Sequence, residues 1–132
     1  MATSLPSQPT AEVFDGDAAR FGRNAEPFIL LVLLESRSYG YQIRTRLEAF
    51  GFRRAARDPG VVYRLLRHLE EAGLIKSEWA VAGSGPARRY YRLTKAGRRQ
   101  LDHSSEHLAR QARRIEQFFE LYRSITSTAG AT

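Results

Sequence analysis

The sequence has no cysteine. That excludes a disulfide framework and a thiolate metal site. No apolar run approaches the length of a membrane span, so no membrane partner is expected. The N-terminus, MATSLPSQPT, lacks the charged-then-apolar order of a signal peptide. Histidines are few: His68, His103 and His107. The last two sit four apart, on one helix face, but two histidines without a third ligand read as surface residues, and no metal is expected. There is no Ser-His-Asp order, no phosphate-binding loop and no dinucleotide motif, so neither an enzyme nor a cofactor is expected. These absences leave a cytoplasmic, soluble chain of 132 residues, enough for one domain and one core. So small a chain gains stability from oligomerisation.

What is abundant is arginine, and it is unevenly placed. Net charge is +7. Residues 1–36 carry a net −3, residues 37–99 a net +10, and residues 100–132 balance to zero. All the excess positive charge lies in the middle segment. A polyanion partner follows from that split, and placement on the nucleoid follows from such a partner.

Residues 58–75, DPGVVYRLLRHLEEAGLI, sit at the centre of that segment. Asp58 is suited to cap free backbone N–H groups, and Pro59 fits a first helical position. Gly73 suits the left-handed turn that ends a helix. Val62, Leu65, Leu66 and Leu69 recur on one face; Tyr63, Arg64 and Arg67 lie on the other. A short helix with a basic, aromatic outer face suits the major groove of DNA. On its own it suits a solvated surface helix equally well.

The flanking segments decide between the two. Residues 1–24 read as a flexible arm with Phe14 and Phe21 as its large aromatics. In 26–36, EPFILLVLLES, seven apolar residues run without a break, which fits a strand or a helix. Pro27 in a first turn and the leucine-rich composition favour a helix buried on more than one side. Ser38 is expected to cap a helix from Tyr39 to Ala49, with Ile43, Leu47 and Phe50 buried and Arg44 and Arg46 outside. FRRAAR, 52–57, reads as a basic connection. Together these make a helix-turn-helix. After Gly73, residues 75–81 alternate as a strand, 82–87 (AGSGPA) as a turn, and 88–93 (RRYYRL) as the returning strand. That hairpin is a wing, with Arg89, Tyr91 and Leu93 on one face and Arg88, Tyr90 and Arg92 on the other.

The last helix is expected from Thr94 to about Ile125. Leu101, Leu108, Ile115 and Tyr122 recur seven apart; Phe118 and Ile125 follow by three, and Phe119 widens the stripe. Such a helix outreaches a winged domain of about seventy residues, so the stripe is assigned to a homodimer seam, with packing on the chain's own core as the alternative.

The sequence resembles the PadR family of bacterial transcriptional regulators over about residues 26–100. Leu34, the YGYQI run from Tyr39, PGVVYRLLRHLEEAGLI from Pro59 and GPARRYYRLTKAGRRQL from Gly85 carry the resemblance. It implies a mainly α fold with a small β-hairpin: a winged helix-turn-helix over 25–96, a long dimerisation helix over 97–126 and a disordered tail over 127–132. It also implies a homodimeric repressor on a pseudo-palindromic operator in double-stranded DNA, often relieved by a small-molecule effector. DNA contact is assigned to Tyr39, Arg44, Gly60, Val61, Tyr63, Arg64, Arg67, Arg88 and Arg89. An effector is assigned to Trp79, Arg110, Arg113 and Arg114, between the last helices and the partner's first helix. Three positions depart from the family pattern. Asp58 replaces a usual serine, Val61 a threonine and Arg64 a proline, so operator sequence does not carry over. Val61 offers a methyl surface to thymine in place of the hydroxyl. Two other functions remain open on this sequence: a winged-helix module that binds protein, and an architectural DNA binder without operator choice.

Overall fold

The computed structural model describes residues 9–81 and 83–130. Helix α1 spans Pro9–Glu35 and leads through the two-residue strand β1, Ser38–Tyr39, to α2, Gly40–Ala49. The short α3, Arg53–Arg57, precedes α4, Pro59–Glu71. Strands β2, Ile75–Val81, and β3, Ala87–Leu93, form the wing, and α5, Lys95–Gly130, ends the chain. The sheet is antiparallel in the order β1-β3-β2. Ile75 pairs with Leu93 at its base and Val81 with Ala87 at its tip.

One core serves the whole domain. Ile29, Leu30 and Leu33 of α1 meet Ile43 and Leu47 of α2 and the inner stripe of α4. Ile75, Tyr91 and Leu101 close it from the wing and the start of α5. Burial of such side chains stabilises by roughly 1.5–3 kcal/mol each.

Several expectations need correction. From Pro9 onward the arm is the first part of α1, and Phe21 is buried, with its ring edge-on to Phe52 at 6.0 Å. An aromatic anchor seven residues before the apolar run is enough to extend that helix backward. Residues 1–8 lie outside the described residues, as does the side chain of Phe14. Pro27 is therefore inside α1, not in its first turn, and the Arg23 carbonyl loses its helical donor. Ser38 caps nothing: it pairs with Tyr91 in β1, and its hydroxyl donates to the Ser36 carbonyl at 3.2 Å. Tyr39 takes the cap position, its N–H donating to Gln42 Oε1 at 3.1 Å. Phe50 is half-exposed rather than buried, and its ring meets Phe28 at 4.9 Å. The FRRAAR connection contains a helical turn, α3. The final helix continues to Gly130, through most of the expected tail.

Thr94 starts α5 in the expected place. Its hydroxyl accepts the Gly97 N–H at 3.0 Å and donates to the Gly73 carbonyl at 2.7 Å, so one side chain caps a helix and ties it to the end of α4. At about 1.5 Å per residue, α5 is about 54 Å long. Leu101 is buried in its own subunit's core, so it leaves the proposed seam. From Ser105 to Thr128 every side chain is exposed. Among the described residues no helix is long and apolar enough to cross a membrane.

Candidate DNA-binding face

Helix α4 sorts its residues sharply. Val62, Leu65, Leu66 and Leu69 point inward, and Tyr63, Arg64 and Arg67 point outward. Val61 belongs with the inner set: it is 4% exposed. It stands one turn before Leu65 and so shares that side of the helix. Within the subunit it cannot reach a thymine methyl, and its assignment to DNA contact is withdrawn. Asp58 occupies the cap position but its carboxylate caps no N–H. The backbone substitutes, with Val61 N–H donating to the Asp58 carbonyl at 3.1 Å. The carboxylate instead faces Arg64 at 4.0 Å, an exposed pair that contributes little. Gly60 lies between them; a Cβ there would stand 3.2 Å from Asp58 Oδ1 and 3.3 Å from Arg64 Nη1.

Gly40 is the residue that lets α2 and α4 approach. A Cβ on it would stand 2.5 Å from Tyr63 Cε1 and 2.6 Å from Tyr63 Oη. The Tyr63 ring therefore rests on the bare backbone at the start of α2. The YGY spacing held this signal, but a glycine beside a cap is ordinarily read as a turn residue.

The wing completes the face. Its alternation is as expected. Tyr91 is buried and Leu93 packs against the core on one side; Arg88, Tyr90 and Arg92 lie on the other. On that outer side the Arg88 guanidinium sits 4.4 Å from the Tyr39 ring centroid, and Arg37 sits 4.6 Å from that of Tyr90. Tyr39 and Tyr90 meet edge to face at 5.5 Å. Cation and ring thus alternate across β1 and β3, fixing the entry to α2 against the wing. Arg88 has no carboxylate partner among the described residues. Arg89 differs: its Nε donates to Ser77 Oγ at 2.9 Å and its Nη2 lies 3.4 Å from Glu70 Oε1. Glu70 and Ser77 are participants that sequence reasoning passed over, since an acid late in a helix reads as solvated.

Between α2, α4 and the wing runs a groove of about 660 Å³. Tyr39, Gly40, Tyr63, Trp79, Arg88 and Arg89 line it. Four of the residues assigned to DNA therefore converge. Arg67 is exposed one turn beyond Tyr63 on α4. Arg64 turns toward a second cleft, of about 350 Å³, shared with Arg23, Glu26 and His68. Burial there pushes the Glu26 carboxyl above its usual value, opposed by the nearby His68. Arg44 stands apart, half-buried on α2, with its guanidinium 5.4 Å from the Tyr41 ring.

The effector residues are not brought together. Trp79 lies on the core-facing side of β2, but the wing overhangs the core there and the ring is 68% exposed. It lines the α2–α4 groove, while Arg110, Arg113 and Arg114 are exposed along α5 and line none of the described cavities. The cleft between α1 and α5, about 590 Å³, is walled instead by Asn24, Phe28, Gln100, Ser104 and His107 among others. No group of three His, Asp or Glu side chains able to hold a metal occurs among the described residues.

A helix-turn-helix whose second helix is basic outside, followed at once by a β-wing and a long trailing helix, defines a winged-helix DNA-binding regulator. Residues 29–103 match the model of the transcriptional regulator PadR-like family. The chain belongs to that family, whose members are transcriptional regulators rather than enzymes. No protein of curated function matches it. Among solved structures, it is similar to a PadR-like transcriptional regulator, BC4206, from Bacillus cereus: 26% identity over 74% of this chain and 93% of that one, TM-score 0.67. It is similar also to TM0937, a conserved protein of unknown function described as a potential transcriptional factor. There identity is 33% over 81% of this chain and 94% of that one, TM-score 0.66. A PadR family regulator from Eggerthella lenta matches at 26% identity over 83% and 95%, TM-score 0.56.

Proposed function

We propose that the protein is a homodimeric, sequence-specific repressor that binds a pseudo-palindromic operator. The observation that carries this is the partition of α4: apolar residues sealed in the core, with Tyr63 and Arg67 outside, beside a wing that offers Arg88. In this reading residues 25–96 bind DNA. Tyr63, Arg64 and Arg67 meet bases and phosphates in the major groove. Tyr39, Arg44 and Gly60 approach the backbone, and the wing follows the flanking groove. Half-sites about 10 bp apart follow from two-fold pairing.

The exposed stripe on α5 supports the dimer. Leu108, Ile115, Phe118, Phe119, Tyr122 and Ile125 are 37–61% exposed in the single subunit, and Leu31 and Leu34 of α1 are bare as well. So large an apolar surface calls for cover by another protein surface, and in this reading a second copy supplies it. Residues 97–126 then act as the dimerisation helix. The dimer sets the distance between the two α4 helices, and a small molecule that changes that distance changes operator fit. The α1–α5 cleft, beside this seam, is the place in the subunit best suited to such a ligand, with Arg110, Arg113, Arg114 and Trp79 left for assembly to bring near. A repressor of this kind would act in the cytoplasm, on the nucleoid.

The test has two parts. DNA captured by the purified protein from sheared genomic fragments should yield one inverted-repeat motif, bound in the presence of excess random DNA. Uniform capture would favour an architectural binder, and no capture at low salt a protein-binding module. The double variant Ile115→Asp with Phe118→Asp should sediment at half the wild-type mass and lose the motif. A wild-type monomer would refute the dimer.

A further inference from the structure

We infer that Glu70 is a positioning residue for DNA recognition: it clamps the wing to α4 through Ser77 and Arg89, and so withholds Arg89 from the DNA. The inference rests on the reading above, in which α4 and the wing face the duplex. Glu70 lies one turn beyond Arg67 and two beyond Tyr63, along the outward line of α4. Its Oε2 accepts the Ser77 N–H at 3.2 Å and the Ser77 hydroxyl at 2.8 Å. Ser77 Oγ accepts from Arg89 Nε at 2.9 Å, and Arg89 Nη2 closes the ring at 3.4 Å from Glu70 Oε1.

The topology explains why this link matters. Strand β2 is the open edge of the sheet, so the Ser77 N–H has no neighbouring strand to bond. Glu70 takes that donor. It thereby fixes the angle between the helix that enters the major groove and the strand that leads to the wing tip. The same carboxylate offsets the Arg89 charge, whereas Arg88, one residue away, keeps its own. Two adjacent arginines thus have different work: Arg88 is available to phosphate, and Arg89 is a strut.

Glu70→Gln tests this, since glutamine keeps the shape and an acceptor for Ser77 but drops the charge that holds Arg89. Binding to the captured operator and to random duplex is measured against salt concentration. With Arg89 released, the salt dependence should steepen by up to about 0.9 per subunit, one extra phosphate neutralised. Random duplex should be bound more tightly, and the operator-to-random ratio should fall by about tenfold, the worth of one charged hydrogen bond. Adding Arg89→Ala should return the slope to wild type without restoring the ratio. A purely structural loss would weaken both DNAs and leave the slope alone. Should the glutamine variant not fold, Ser77→Ala removes the hydroxyl bridge between Glu70 and Arg89 while leaving the Ser77 N–H on Glu70, and its operator-to-random ratio should fall in the same direction by a smaller factor. A wild-type slope and ratio in the folded variant, while Arg88→Ala flattens the slope by about 0.9, overturns the clamp alone. An Arg88→Ala protein with an unchanged slope takes the wing off the DNA and removes both readings.

Discussion

Gly40→Ala separates stability from recognition at one atom. The added Cβ would stand 2.5, 2.6 and 2.8 Å from Tyr63 Cε1, Oη and Cζ, where ordinary contact begins near 3.4 Å. The ring must therefore retreat by about 1 Å, a gap that already forfeits a good part of its contact energy. Retreat is open to it, because the atoms struck are the far end of a side chain that is 44% exposed. If some 40 Å² of ring is uncovered, the cost is about 1 kcal/mol. Against this, alanine for glycine at the first position of α2 returns some tenths of a kcal/mol to helix stability. Net stability should change by about 1 kcal/mol or less, a shift of a few degrees in Tm. Operator affinity should behave differently. In the proposed complex a displaced Tyr63 would no longer present its hydroxyl where α4 meets the groove, and one lost base-edge or phosphate contact is worth about 1–3 kcal/mol, or 10- to 100-fold in Kd. Thermal melting and operator titration by fluorescence anisotropy read the two effects separately. In a Tyr63→Ala background the glycine substitution should change Kd by less than about twofold, because the two residues act through one contact. Full affinity in the single variant, or an equal loss in the background lacking Tyr63, would refute the reasoning.

Other substitutions probe the frame around this face. At Gly97 a Cβ would run into the Leu74 carbonyl oxygen and crowd Leu93 Cδ1 at 2.7 Å. Backbone cannot swing aside as a ring can, so Gly97→Ala should move α5, strain the Thr94 cap and cost about 2–4 kcal/mol. Melting at fixed protein concentration should then drop by roughly 10 °C, and an unchanged Tm would contradict the close approach. Burial raises the Glu26 carboxyl, so its ionisation opposes folding: the cost is absent below the usual carboxylate range and grows as pH rises through the raised value. Glu26→Gln should therefore gain stability over wild type at neutral pH and show no gain near pH 3, which denaturant melts at the two pH values would register. A gain of equal size at both would assign the effect to something other than charge.

How much of this was legible beforehand depended on the physical period involved. Helix α4 and the wing announce themselves because buried faces repeat every 3.6 and every 2 residues, and both repeats span enough residues to be unmistakable. Strand β1 has two residues and no period at all; it exists because Tyr90 and Tyr91 of β3 offer it an edge. Ser38 therefore reads as a cap, the role its chemistry fits when no strand is in view. The backward extension of α1 hung on one aromatic, Phe21, whose partner Phe52 lies some thirty residues on. Nothing local in the sequence connects them.

The misplacements of Leu101 and Trp79 have a common cause, which is that a periodic stripe identifies a face without identifying what covers it. Leu101 falls in register with Leu108, Ile115 and Tyr122, yet the first belongs to the domain's own core and the others stand in solvent. The stripe is continuous, but it leaves the domain's core beyond Leu101. Trp79 shows the converse. Its side of β2 faces the core at Ile75 and overhangs it four residues later. The family pattern draws Val61 outward, although its place one turn before Leu65 puts it inside. Arg88 and Arg89 are the sharpest case. Sequence gives them one charge each and adjacent places beside the wing tip, and alternation sends them to opposite faces. Only the surroundings, a tyrosine ring for one and a carboxylate for the other, decide which of them keeps a charge that no carboxylate offsets. Charge counted along the chain therefore overstates the charge that a phosphate would meet.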